Sequence, residues 1–290
     1  MAEKILITGA SGFIGKNLKR ELLNKNYSVV EFNSSDGDIV SAKLNFQGID
    51  HAIHLAGKSF VPDSWKNPAE YRRVNVEGTR NVLEFCKTNS IPMMFMSSYV
   101  YGIPVKLPVD ESHPVTPSNP YAQSKYEAEN LCKSYSEQYH LPITIVRPFN
   151  IFGIGQPDHF LIPKIISQAL DASLARIDLM DLSPRRDYIY MDDLISAMIG
   201  LMQKKSAGTF NVGSGYSLSV KEIAEKIMKA AGVKKEIASS NDIRPNEIPD
   251  VVAGISRISK ETGWSPKVSF EEGIGRIVAY ILKDNSNLKS

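Results

Sequence analysis

Two side chains four residues apart, Tyr121 and Lys125 in Pro120-Tyr121-Ala122-Gln123-Ser124-Lys125, are placed to do acid–base chemistry. A phenol has a pKa near ~10 and is a poor base at neutral pH. On a helix, a residue four positions later shares its face, one turn away. The Lys125 ammonium is therefore expected to favour the Tyr121 phenolate and move it toward the range of a general acid/base. Such pairs also occur on ordinary surface helices, so the elements that would position this one carry the weight.

The first of those elements is at the N-terminus. Lys4 to Thr8 is a short apolar run that reads as a buried strand. It is followed by Gly9-Ala10-Ser11-Gly12-Phe13-Ile14-Gly15 and by an apolar face at helical spacing, Phe13, Ile14, Leu18, Leu22 and Leu23. Strand, glycine turn and helix in this order is the context of a dinucleotide-binding loop. Gly9 allows the tight turn, Gly12 the close approach of a pyrophosphate to the helix N-terminus, and Gly15 the packing of helix on strand. The spacing is GxxGxxG rather than GxGxxG.

Ser28 to Phe32 reads as the second strand. The position after it, where a carboxylate would take the ribose hydroxyls of NAD, holds Asn33, followed by Ser34 and Ser35. These can donate hydrogen bonds to a 2′-phosphate, which leans the choice toward NADP over NAD, although no arginine stands beside them. Asp38 could accept from an adenine amino group. His51 to Leu55 and Pro92 to Met96 read as further strands, opening into Ala56-Gly57 and Ser97-Ser98-Tyr99. A helix is expected from about Pro68 to Thr88, carrying Asn75. The alternation of strand and helix through Leu141–Arg147 predicts a parallel, doubly wound α/β sheet of Rossmann type. The dinucleotide-binding domain is expected over 1–152, with a return segment at about 188–212. A smaller α/β C-terminal lobe is expected from 153–187 and 213–290. Within these later parts, an Asp at 192–193 is expected to N-cap a helix, and Ser219 to open another through a capping box.

Composition bounds the rest. The chain has 290 residues, 42% hydrophobic, with a net charge of +2. That length and hydrophobicity support a substantial core, and the near-balanced charge gives no reason to expect a nucleic-acid or membrane partner. Cys86 and Cys132 make no disulfide framework. The five histidines show no metal-ligand spacing. With neither a leader nor an apolar run of membrane-spanning length in this sequence, a cytoplasmic location is expected.

Together these pieces resemble the extended short-chain dehydrogenase/reductases, in the nucleotide-sugar epimerase/dehydratase family. The resemblance rests on GASGFIG at 9–15, LAG at 55–57, NVEGT at 75–79, SSYVYG at 97–102, PYAQSK at 120–125, RPFNIFG at 147–153, RRDYIYMDD at 185–193, NVGSG at 211–215, RP at 244–245 and GWSPKVSFEEG at 263–273. It implies that Tyr121 is the acid/base and that Lys125 holds the nicotinamide ribose and depresses the tyrosine pKa. Counting back four residues from the Tyr101-Gly102 pair, it implies that Ser97 orients the sugar oxygen. A cofactor site is implied from Gly9, Ser11, Gly12, Phe13, Ile14, Gly15, Asn33, Ser34, Asp38, Ile39, Leu55, Ala56, Gly57, Asn75 and Pro148, with Tyr121 and Lys125. A nucleotide-sugar site is implied from Ser98, Tyr99, Asn150, Arg186 and Arg244, the two arginines gripping the diphosphate. The family's 4,6-dehydratases carry an Asp-Glu pair where this chain has Ser98-Tyr99, and elimination needs those carboxylates. Hydride transfer at C4 remains, as a 4-ketoreductase of a 4-keto-6-deoxysugar first and a 4-epimerase second. A non-catalytic cofactor-binding module is a remote third. The resemblance also implies a homodimer.

Overall fold

The computed structural model describes residues 2–242 and 247–287. Six strands, β1 (Lys4–Thr8), β2 (Ser28–Phe32), β3 (His51–His54), β4 (Met93–Met96), β5 (Ile143–Pro148) and β9 (Gly208–Val212), form one sheet in the order β2-β1-β3-β4-β5-β9. Every pairing in it is parallel. β3, β4 and β5 are buried along their whole length, as strands covered on both faces must be.

Helices cover both faces. On one side α1 (Phe13–Asn24) and α7 (Met191–Gln203) pack with Ile5, Ile7, Ile53 and Phe210. On the other, α4 (Gly78–Asn89) and α5 (Pro120–Tyr139) pack with Leu6, Ala52, Phe95 and Ile145. α2 (Val61–Lys66), α3 (Pro68–Arg72) and a π-helical turn over Arg73–Glu77 lead into α4. The single helix expected from Pro68 to Thr88 is therefore broken by that wider turn.

A third cluster forms a smaller body from α6 (Leu161–Leu170), α8 (Val220–Ala231) and α10 (Phe270–Asn287). It includes β7 (Arg176–Leu179) paired with β11 (Glu236–Ser239), and a three-stranded sheet of β10 (Ser217–Ser219), β8 (Arg185–Tyr190) and β6 (Asn150–Phe152). One part of the expected lobe lies elsewhere: Ile258 of α9 (Ser256–Thr262) and Trp264 pack with α7 and β9 in the first cluster. The Ser219 capping box is present. The expected Asp cap is not. Tyr190 occupies the N-cap of α7, and Asp193 instead accepts the Lys267 and Val268 amides at 3.0 and 2.9 Å. Among the described residues no helix is long and apolar enough to cross a membrane.

Candidate active site

After β1 the chain goes outward to β2 and returns on the opposite side to β3, so the sheet reverses direction at β1/β3. In open α/β sheets the ligand crevice lies beyond the carboxyl ends of the strands at such a point. Gly9 turns there with φ +75°, and a Cβ on it would meet the Ala56 amide nitrogen at 2.7 Å. A Cβ on Gly15 would meet the Gly9 carbonyl oxygen at 2.3 Å. Gly12 is the N-cap of α1 and brings no side-chain cap, so the first-turn N–H groups lack that partner. A backbone cradle closed to side chains, facing uncapped helix donors, fits a dinucleotide pyrophosphate.

Asn33 is held at the end of β2. Its Oδ1 accepts the Ser11 amide at 2.7 Å, which turns its amino group the other way. Asp38 Oδ1 accepts the Val40 amide, and its Oδ2 accepts from Arg73 at 2.7 Å. Asn75, expected to touch the cofactor, is 1% exposed in the π turn. Its amide bonds the Lys58 amide and carbonyl and the Ser124 hydroxyl at 2.8, 3.0 and 2.9 Å. Both its N–H bonds are consumed, so Asn75 positions α5 and the loop after β3.

α5 begins cleanly. Asn119 caps it by accepting the Ala122 amide, and Pro120 occupies the first turn. Tyr121 thus enters the crevice at the helix start, with Lys125 one turn on. Tyr71 packs edge-on against the Tyr121 ring, with centroids 6.4 Å apart, and its hydroxyl donates to the Phe60 carbonyl. The expected effect of Lys125 on Tyr121 is not what the structure shows. Burial pushes the Tyr121 phenol up to about 12, opposed only by the Ser98 hydroxyl, and Lys125 is not among the groups that shift it. The ammonium instead lies over the Phe95 ring, 4.3 Å from its centroid, and burial pushes its own pKa down to about 8. With burial, its charge holds His54 neutral, with a pKa of about 3.

Sequence reasoning missed that histidine. The Thr79 hydroxyl donates to the Asn75 carbonyl at 2.6 Å, so it accepts from His54 Nε2, 3.1 Å away. His54 Nδ1 is then the acceptor for Thr8 Oγ1 at 2.6 Å. Neutral His54 therefore ties the end of β1 to the π turn that holds Asn75. The sequence offered only a histidine inside an apolar strand.

The two serines after β4 have different surroundings. The Ser97 amide continues the β4–β5 ladder by donating to the Val146 carbonyl at 2.8 Å, and its side chain turns inward to donate to Glu129 Oε1. Successive side chains on an extended chain face opposite ways, so Ser98 is the hydroxyl that meets Tyr121. Ser98 Oγ is buried and makes no full hydrogen bond with any described group.

Behind Ser97 runs a buried polar chain. Arg147, 2% exposed, forks onto Glu129, 0% exposed, through Nε at 2.8 Å and through Nη2. The Arg147 guanidinium lies 4.8 Å from the Tyr101 ring centroid. The Tyr101 hydroxyl donates to Asn211 Oδ1 at 2.6 Å, in β9. Tyr99, at the dehydratase glutamate position, donates its hydroxyl to the Gly102 carbonyl at 2.7 Å.

Of the expected substrate contacts, Asn150 donates to the Asp187 carbonyl at 3.2 Å. The charge of Arg186 reaches Tyr99 and Tyr188. Its guanidinium, expected to be open to a diphosphate, is bound to Glu247. Arg244 lies outside the described residues.

A parallel sheet of this order with a glycine turn and an open helix N-terminus at its switch point is the dinucleotide-binding class of α/β fold. The sequence matches the NAD dependent epimerase/dehydratase family over residues 5–213, a stretch that closes just past β9. The chain belongs to that family. It is 31% identical to a putative UDP-glucose 4-epimerase of Methanocaldococcus jannaschii, covering 97% of this chain and 99% of that one. It is 30% identical to the GDP-6-deoxy-D-mannose reductase of Pseudomonas aeruginosa, covering 96% and 97%. The structure of RMD from Pseudomonas aeruginosa complexed with NADPH superimposes with a TM-score of 0.88 at 30% identity, over 96% of this chain and 98% of that one. Structural neighbours bind NADPH or NAD.

Proposed function

We propose that this protein is an NADP-dependent reductase of nucleotide-activated 4-keto-6-deoxyhexoses. The reading is carried by the end of β2, where Asn33 stands in place of a carboxylate: its Oδ1 takes the Ser11 amide, which leaves its amino group to donate to a 2′-phosphate, the mark of NADP and of a cofactor that comes and goes with each reduction. Tyr121, protonated at neutral pH, gives its proton to the oxygen gaining charge. The groups that shift Tyr121 include no carboxylate, and Ser98 and Tyr99 cannot do the acid and base work of elimination.

The glycine cradle, Asn33 and Lys125 would hold the dinucleotide, which supplies the hydride. Ser98, whose buried hydroxyl faces Tyr121 and makes no full hydrogen bond, donates to the sugar oxygen and fixes its position. Tyr121 protonates that oxygen as charge develops, and Lys125 keeps the region electropositive. Asn75, through Ser124 and Lys58, holds α5 and the β3 loop in register around the reacting atoms. Bringing the reactants into line supplies a large share of the acceleration.

Similarity to a reductase known with NADPH supports the same reading. Similarity to a 4-epimerase keeps that second reaction as the alternative. Loss of 340 nm absorbance on mixing NADPH with nucleotide 4-keto-6-deoxysugars tests the proposal. Tightly held NAD released on denaturation, with conversion of a 4-hydroxy sugar and no net cofactor turnover, would establish the epimerase instead. Tyr121→Phe is expected to lower turnover by about 10²–10⁴-fold while NADPH still binds.

A further inference from the structure

Lys125 is 6% exposed and lies over the Phe95 ring of β4. An ammonium stripped of water in this way needs a compensating charge. His54, on β3, faces it in the neutral form. Cys132, two turns further along α5, is coupled to it, but burial holds that thiol protonated. Cys86, on α4 beside Cys132, is a buried thiol pushed up to about 12. Tyr121 and Arg147 are not among the groups that shift Lys125. Glu129 is: it stands one turn after Lys125 on α5 and is 0% exposed.

We propose that Glu129 is the positioning residue of Lys125: its carboxylate supplies the counter-charge for the ammonium, and Arg147 and Ser97 hold it at that station. This rests on reading the crevice as the cofactor site. Glu129 is fixed from three elements. Arg147 of β5 donates through Nε at 2.8 Å and through Nη2, and Ser97 at the end of β4 donates its hydroxyl. Lys133 Nζ, on α5, stands 4.0 Å from Oε2. A carboxylate held on both oxygens cannot turn away from the helix face it shares with Lys125. Burial pushes Lys125 down to about 8, and Cys132 and Glu129 oppose it. With Cys132 a thiol at neutral pH, Glu129 carries that opposition. Without the carboxylate, Lys125 loses its proton nearer neutrality, and with the proton goes the charge that meets the dinucleotide.

The test is the pH dependence of NADPH binding, read by nicotinamide fluorescence from about pH 6 to 9.5. Wild-type affinity should begin to fall near pH 8. In Glu129→Gln the fall should begin about one pH unit lower, leaving affinity roughly fivefold weaker at pH 8 and nearly equal at pH 6. Glu129→Asp keeps the charge and should keep the fall near pH 8, whatever its melting temperature. Cys132→Ala removes no charge and should keep it there too. Glutamine leaves the Arg147 charge uncompensated. If that protein does not fold, Glu129→Gln combined with Arg147→Gln removes both charges and should move the fall in the same direction. A fall at the wild-type pH in the glutamine proteins, or a uniform loss of affinity at every pH, would overturn the proposal. Wild-type NADPH binding that is absent, or that does not change with pH, would overturn the assignment of Lys125 to the cofactor instead.

Discussion

Ser97 and Ser98 are neighbours in sequence with opposite surroundings, so exchanging each for alanine separates their roles. Ser98 Oγ is buried without a full partner, and such a group costs about 1–3 kcal/mol. Ser98→Ala removes only the loose contact with Tyr121 along with that cost, so its melting temperature should stay close to wild type. Its activity should fall, because loss of one donor to a developing oxyanion costs about 10²–10³ in kcat. Ser97→Ala does the reverse. It strips one donor from Glu129, which keeps its two bonds to Arg147. A lost hydrogen bond to a charged group is worth roughly 1.5–3 kcal/mol. With an unfolding entropy of about 2.1 cal/mol/K per residue over 290 residues, 1 kcal/mol moves the melting temperature by roughly 1.5 °C. Ser97→Ala should therefore melt about 2–5 °C lower and turn over near the wild-type rate. Calorimetry and NADPH oxidation on the same preparations read both quantities. An inactive Ser97→Ala beside an active Ser98→Ala would refute the geometric argument.

Cofactor choice rests on the tethered amide of Asn33. Asn33→Asp keeps an acceptor for Ser11 and presents negative charge to a 2′-phosphate, so NADPH affinity should drop roughly 10–100-fold relative to NADH; an unchanged ratio in nicotinamide fluorescence titrations would exclude Asn33 as the selector. Acid stability should report on His54, held neutral with a pKa of about 3 against an ordinary 6.5. The unfolded chain takes up that proton below pH ~6.5 and the folded chain only near 3, so stability falls as pH falls through this window, by up to the order of 5 kcal/mol. His54→Gln should flatten the decline in urea midpoint between pH 6.5 and 4, with buried His51, pKa about 4, and the carboxylates held below their ordinary range sharing the slope that remains; an equally steep decline would show that His54 does not cause it.

Much of this is legible before any coordinates, for physical reasons. The glycine loop and its helix are encoded by contiguous residues, and the parallel strands by near-continuous apolar runs. Tyr121 and Lys125 are fixed relative to one another by helix pitch alone. What could not be read depends on contacts distant in the chain. Glu247 meets Arg186 across 61 residues, and Asn75 meets Ser124 across 49. The sign of the Tyr121 shift depends on enclosure by Tyr71 and on where Lys125 ends, neither of which spacing conveys. Which of Ser97 and Ser98 meets Tyr121 depends on how the chain leaves β4, which distance from a motif does not convey. The π turn has no sequence signature of its own, yet it carries Asn75 and meets His54 through Thr79.

The chain from Arg147 through Tyr101 to Asn211 also sets an order of events during synthesis. Tyr121, Lys125 and Ser98 leave the ribosome well before β9, and the sheet they belong to can begin to assemble as they emerge. Until residues 208–212 follow, β5 has an open edge and the Tyr101 hydroxyl lacks its acceptor. A nascent chain that has released β5 from the ribosome but not yet residues 208–212 therefore holds Tyr121 and Lys125 beside an unpaired, apolar strand, the kind of edge that recruits other chains. Arrival of the sixth strand both completes the scaffold behind the serines and withdraws that edge from association.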